Sequence, residues 1–157
     1  MSLDAPQPTA PNGADFRFGI AAARFNGEYV DGLLSRVVGT LQAAGVTEAN
    51  LAIVRVPGSH EVPWAAQTLA TRSQCDCVIA LGVLIAGDTS HHEMVGASVS
   101  AALHRVALDT HTPVINGVLV VNSPAQAAER CSGRIDRGAE FAHAALDMAA
   151  LRRRFPR

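Results

Sequence analysis

The chain has 157 residues, 48% hydrophobic and 17% charged, which suits one well-packed domain and excludes a disordered polymer. Its formal net charge of −1 gives no field that would recruit nucleic acid or a membrane surface. All 13 basic residues are arginine, and the absence of lysine excludes a lysine Schiff base, so any imine chemistry must use a substrate amine.

Residues 1–14, with Pro6, Pro8, Pro11 and Gly13, read as a flexible arm, and residues 15–157 as a single α/β domain. Phe16–Ala23 reads as a strand, followed by a helix from about Gly27 to Ala44 that stops at Gly45. Leu51–Val56 is the second strand, leading through the loop Pro57–Ser59 into a helix that runs to about Arg72. Cys77–Ile85 is the third strand, and its branched apolar run predicts burial on both faces. His91–Asp109 is the third helix and Pro113–Val121 the fourth strand. Ser123-Pro-Ala-Gln126 carries a capping serine, proline at the first helical position and glutamine at the third, so a helix starts there. A final helix covers about Asp136 to Arg154, and Arg152-Arg-Arg154 is expected to complement its C-terminal dipole. This alternation predicts a layered α/β/α sandwich with a mainly parallel, four-stranded sheet. Ligands of such sheets bind beyond the carboxyl ends of the strands.

The three cysteines, an odd number without a signal-peptide pattern, point to a reducing, cytoplasmic setting. No apolar run approaches the ~20 residues that cross a bilayer. Cys75-Asp-Cys77 lies at the start of the third strand, roughly 25–30 Å from the histidines at ~3.3 Å per residue. It lacks four-ligand spacing, so no metal site is expected.

Chemistry concentrates in Ala80–Val95. A buried strand gives way to Gly87, Asp88 and Thr89, and a helix then opens with His91 and His92, capped by Ser90 or Thr89. A strand, a glycine turn and a helix N-terminus offer free N–H groups and a favourable dipole to an anion. A histidine beside such a site can move protons near neutral pH. The local reading is a phosphate-bearing substrate next to an acid/base histidine.

Four further segments stand in register with this one: Ala23-Arg-Phe-Asn26, Gly58-Ser-His-Glu-Val-Pro-Trp-Ala-Ala66, Asn116-Gly-Val-Leu119 and Gln126-Ala-Ala-Glu-Arg130. From about Phe16 to Met148 the sequence resembles the 6,7-dimethyl-8-ribityllumazine synthases of riboflavin biosynthesis. The resemblance implies a flavodoxin-like fold and a small-molecule condensation without cofactor or metal. An aminopyrimidine bearing a ribityl chain would form an imine with 3,4-dihydroxy-2-butanone 4-phosphate, lose phosphate and water, and close a ring. No covalent bond to the enzyme is implied, in keeping with the missing lysine.

The resemblance also assigns roles. His91 matches the proton-transfer histidine and Phe25 the aromatic that stacks on the pyrimidine. Ser59, His60 and Glu61 match the segment that fixes pyrimidine and ribityl chain. Val83, Leu84 and Ile85 match the strand end whose backbone reads the pyrimidine edge. Asp88 and Thr89 match the phosphate cradle, acting through backbone N–H, with the Asp88 carboxylate expected to point away. Arg130 matches the phosphate arginine, and Asn116 a position contributed by a neighbouring subunit. His92, about 100° from His91 around a helix, reads as packing or solvent-facing. Ala86 stands where the family commonly has arginine or lysine, and Arg137 lies near a basic family position after a shortened Cys131–Arg137 connection. The resemblance further implies a homo-oligomer, a pentamer or a multiple of it, with riboflavin synthase as a partner. The alternative class is a structural or cargo-holding shell protein of the same fold with weak catalysis.

Overall fold

A computed structural model describes Thr9 and residues 11–155. Strands β1 (Phe18–Ala23), β2 (Leu51–Val56), β3 (Cys77–Ile85) and β4 (Val114–Val121) pair in the order β2-β1-β3-β4, every pair parallel. β3 is central and has no polar side chain, and it is buried from Cys77 through Val83. The edge strand β2 exposes Ile53, Val54 and Arg55.

Helices α1 (Gly27–Ala43), α2 (Val62–Arg72), α3 (His91–Thr110), α4 (Pro124–Cys131) and α5 (Arg137–Arg154) complete three layers. α1 buries Val30, Leu33, Val37 and Leu41, one helical stripe, against Phe141 and Leu146 of α5 and against Phe18, Ile20, Ile79 and Leu81 of the sheet. On the opposite face, Val62 and Leu69 of α2 and Val95, Val99 and Leu103 of α3 cover Ala21, Ala23, Val78 and Ala80. Each large side chain buried in these layers contributes about 1.5–3 kcal/mol relative to exposure. The α2/α3 face uses alanines where the α1/α5 face uses Phe and Ile.

Sequence punctuation is honoured where it was legible. Gly45 ends α1 with φ +98°, and Ser123 Oγ accepts the Gln126 N–H at 3.2 Å to open α4. Gln126 Oε1 reaches back to the N–H of Asn122, one residue before the cap, at 2.9 Å. The helix expected after Pro57–Ser59 is divided into a 3₁₀ turn, Ser59–Glu61, followed by α2.

Two expectations need correction. β1 begins at Phe18 rather than Phe16, because the Arg17 N–H is bonded to Asp76 Oδ2 at 2.8 Å while Arg17 O accepts the Asp76 N–H at 2.7 Å. The arginines ending α5 do more than complement a dipole. Arg153 grips Asp76 with Nε at 2.9 Å and Nη2 at 2.8 Å and lies 4.8 Å over the Phe16 ring. Arg152 donates to the carbonyls of Cys75 at 2.5 Å and His111 at 3.2 Å. Burial works against ionisation of Asp76, but Arg153 and the Arg17 N–H outweigh it and hold the carboxyl below its usual range.

At the inner end of the segment read as an arm, Gly13 is buried and gives its N–H to Ala44 O at 2.7 Å. Residues 1–8 and 10 of that segment lie outside the described residues. Cys75, Cys77 and Cys131 are free and buried. Burial raises all three thiols, those of Cys75 and Cys131 to about 11, which leaves them protonated and inert near neutral pH. Among the described residues no helix is long and apolar enough to cross a membrane.

Candidate active site

Because β1 pairs with β2 on one side and β3 on the other, the direction of sheet growth reverses between β1 and β3. Crossover connections diverge at such a point and leave a crevice at the carboxyl ends of the two strands. A cleft of about 580 Å³ occupies it. Phe25 and Asn26 enter from beyond β1, Pro57–Glu61 from beyond β2, Val83–Ile85 from β3, and Gly87, Thr89, His91, His92 and Val95 from the turn and first windings of α3. Nine of the twelve residues proposed from sequence therefore converge: Phe25, Ser59, His60, Glu61, Val83, Leu84, Ile85, Thr89 and His91.

Phe25 is 75% exposed at the mouth of the cleft, which leaves its ring free to stack on a flat ligand. Its backbone is fixed: its N–H bonds to Pro57 O at 3.1 Å, and the preceding Arg24 N–H to Val56 O at 2.8 Å. Asn26 then turns the chain into α1 with φ 54°, the left-handed region that asparagine tolerates better than most residues. Its side-chain Nδ2 donates to Val83 O at 2.8 Å, tying this loop to the end of β3.

Ser59 is buried against β3, where a Cβ on Gly82 would come within 2.5 Å of Ser59 Oγ. Gly82 thus admits the whole 3₁₀ turn. Glu61 closes that turn, accepting the Gly58 N–H on Oε2 at 2.9 Å. One carboxylate oxygen holds the loop while the residue lines the cleft, so the structural and binding roles of Glu61 are compatible.

At the other end, Ser90 occupies the cap position of α3 without a side-chain bond to the helix. Thr89 Oγ1 instead approaches the His91 N–H at 3.4 Å. The N–H groups of Glu93 and Met94 already bond to Ser90 O at 3.1 and 3.2 Å. Donors for an anion are therefore the N–H groups just before them, at the turn and the first helical positions. His91 is exposed at the first position of α3.

Three proposed residues stand apart from this cleft. Asp88 is exposed and does not line it, although Gly87 and Thr89 on either side do. Asn116 pairs with Ala80 in the edge strand β4, below the level of the cleft, and its Oδ1 accepts the Val118 N–H at 3.1 Å. Arg130 lies on α4, which packs beside α1 and α5, and its Nη1 donates to Gln126 O at 3.1 Å. Arg137 is buried in an ion pair with Glu140 on its own helix, and the Ala86 N–H is bound to Val121 O at 2.9 Å.

Six cleft residues lie outside the twelve proposed from sequence: Asn26, Pro57, Gly58, Gly87, His92 and Val95. The asparagine directly ahead of a helix, in Phe25-Asn26-Gly27, is the usable signal for a left-handed turn. His92 carried no such signal; it is half-buried in the wall, with Nδ1 3.3 Å from Thr89 O. Among the described residues no three His, Cys, Asp or Glu side chains group closely enough to hold a metal ion.

Comparison with known proteins agrees with the resemblance. The family model described as 6,7-dimethyl-8-ribityllumazine synthase matches residues 15–153. A protein of that name from Saccharopolyspora erythraea is 44% identical over 151 residues, covering 94% of this chain and 89% of its own. Namesakes from Nitrosospira multiformis and Halorhodospira halophila are each 42% identical, over 142 and 140 residues. They cover 90% and 88% of this chain, and 87% and 90% of their own lengths.

Proposed function

The chain belongs to the 6,7-dimethyl-8-ribityllumazine synthase family, and we propose that the cleft between β1, β3 and α3 is where its reaction takes place. The protein is an enzyme. It condenses 5-amino-6-(D-ribitylamino)uracil with 3,4-dihydroxy-2-butanone 4-phosphate to give 6,7-dimethyl-8-ribityllumazine, phosphate and water, in riboflavin biosynthesis. No observation favours the shell-protein alternative over this activity.

The observation that supports the location is the convergence of an exposed aromatic, a polar 3₁₀ turn, a strand end and a helix N-terminus on one crevice. In our reading Phe25 stacks on the pyrimidine, the Val83–Ile85 backbone meets its edge, and Ser59, His60 and Glu61 take the ribityl hydroxyls. The phosphate rests on N–H groups from Asp88 to the start of α3, with the Thr89 hydroxyl beside it. The substrate amine attacks the ketone and a first water leaves to form the imine; phosphate then departs with its bonding electrons, and attack of the ribityl-bearing amine on the remaining carbonyl closes the ring with loss of a second water. His91 shuttles protons in these steps. Much of the acceleration comes from holding two reactants in register.

Asn116 and Arg130 do not line this cleft, and we assign them to the site of a neighbouring subunit. The guanidinium of Arg130 would then complete the phosphate subsite, a role suited to its bidentate geometry. The assembly is a pentamer or a multiple of it. Its setting is the cytoplasm, a reading supported by three free, buried cysteines, and riboflavin synthase, which consumes the product, is its partner. The experiment for the reaction is to follow lumazine absorbance with chelator-treated protein. A rate above the spontaneous condensation is expected; none would favour the shell reading.

A further inference from the structure

The side chain of His92 has a task distinct from that of His91. A carbonyl oxygen carries no proton, so the 3.3 Å approach of His92 Nδ1 to Thr89 O requires the hydrogen on Nδ1. The donor comes from the second residue of α3 and the acceptor from the turn before it, so the imidazole bridges helix and turn. Peptide planarity gives this bridge a consequence. The Thr89 carbonyl and the Ser90 N–H belong to one planar trans unit and point in opposite directions. Holding the carbonyl therefore fixes the direction of that N–H.

The rest of the turn has little else to fix it. Residues Gly87 to Ser90 are exposed, Gly87 has open space around its Cα, and Ser90 makes no side-chain cap bond. Among the described residues the Thr89 hydroxyl is engaged only by the long 3.4 Å contact with the His91 N–H. An anion site made of backbone donors works when those donors are already aimed, since aiming them on binding costs conformational entropy.

We propose that His92 is a positioning residue for the phosphate end of the cleft: its Nδ1–H holds the Thr89 carbonyl and so orients the Ser90 N–H of the Gly87–Ser90 turn. This rests on the reading of that turn as the phosphate subsite. His92 acts through the backbone and need not touch either substrate.

Shape distinguishes this role from simple packing. In His92→Asn the amide nitrogen falls near the place of Nδ1, in His92→Gln it falls near Nε2, and His92→Phe keeps the ring but no donor. The measurements, on the full chain, are the Kd for inorganic phosphate by calorimetry and the KM of each substrate. His92→Phe should weaken phosphate and raise the KM of the butanone phosphate by roughly 3- to 10-fold, the worth of one neutral hydrogen bond. The KM of the pyrimidine should stay within about twofold. His92→Asn should restore most of the loss, and His92→Gln should not. Unchanged phosphate binding in His92→Phe, equal behaviour of the Asn and Gln variants, or parallel losses for both substrates would overturn the assignment. Wild-type binding of phosphate that does not respond to Thr89→Pro, which removes a turn N–H, would overturn the phosphate-turn reading and His92 with it. A response to Thr89→Pro with none to His92→Phe rejects His92 alone.

Discussion

The Nδ2 of Asn26 donates to the Val83 carbonyl at 2.8 Å, joining the loop beyond β1 to the end of β3 across the point where sheet growth reverses. This bond sets the distance between the ring of Phe25 and the backbone of Val83–Ile85, the two surfaces that would sandwich and read a pyrimidine. Asn26 also holds φ 54°, so its two contributions can be separated by substitution. Asn26→Gly keeps the left-handed turn and loses the bond; Asn26→Ala loses both. We expect Asn26→Gly to weaken a ribityl-pyrimidine analogue by roughly 2- to 12-fold with little loss of stability. Asn26→Ala should in addition lower stability by about 1 kcal/mol. Calorimetry with the analogue and thermal melts check both, and equal stability losses would mean that the bond, and not the turn, carries the effect.

Ser59 and Gly82 form a second coupled pair, since any Cβ at position 82 enters the space of the serine hydroxyl. Gly82→Ala should cost about 1–3 kcal/mol by overpacking and displace the 3₁₀ turn, weakening pyrimidine binding. Adding Ser59→Gly should recover part of that loss. A double-mutant cycle reads the coupling directly, and additive effects would show that the contact is not the cause.

His91 and His92 should fail in different ways. His91→Ala is expected to lower turnover by about tenfold, below the roughly 10²–10⁴-fold usual for general acid–base catalysis, because proximity supplies part of the rate. Substitutions at His92 should act on the KM of the phosphate substrate instead. Steady-state kinetics with each substrate varied separates them, and equal falls in kcat at both positions would refute the division.

Much of this architecture can be read from the chain because its signals are local. The apolar run Cys77–Ile85, the glycine after α1 and the Ser123–Gln126 cap each determine conformation within a few residues. Phe16 and Arg17 looked like strand for the same local reason, yet Arg17 pairs with the Asp76 carboxylate, a partner 59 residues away. The arginines of α5 misled similarly: their partners lie just before β3 and just after α3, far along the chain. His92 illustrates the limit for site residues. Helical spacing separates it from His91, but the turn preceding α3 curls back and supplies the carbonyl that its ring meets.

The Arg153–Asp76 clamp gives a prediction for acid stability. The Asp76 carboxyl is held below its ordinary range, so its ionised form stabilises the fold above the unfolded pKa near 3.9. That contribution is lost as pH falls through the lower folded value. Asp76→Asn should therefore cost about 1–2 kcal/mol at pH 7, less than a fully buried pair because Arg153 is partly exposed. The gap to wild type should narrow below about pH 4. Urea titrations across pH measure it, and a gap independent of pH would assign the effect to packing.

The central claim is that one chain's cleft is completed by Asn116 and Arg130 of its neighbour. Its most direct test is lumazine formation by a co-refolded, equimolar mixture of His91→Ala and Arg130→Ala chains, each impaired alone. If the site is shared, random pairing around a closed ring leaves about a quarter of the sites with both residues intact, and activity should recover toward that fraction of wild type. If both residues serve the same chain's cleft, no intact site can form, and the mixture will show only the average of the two impaired proteins.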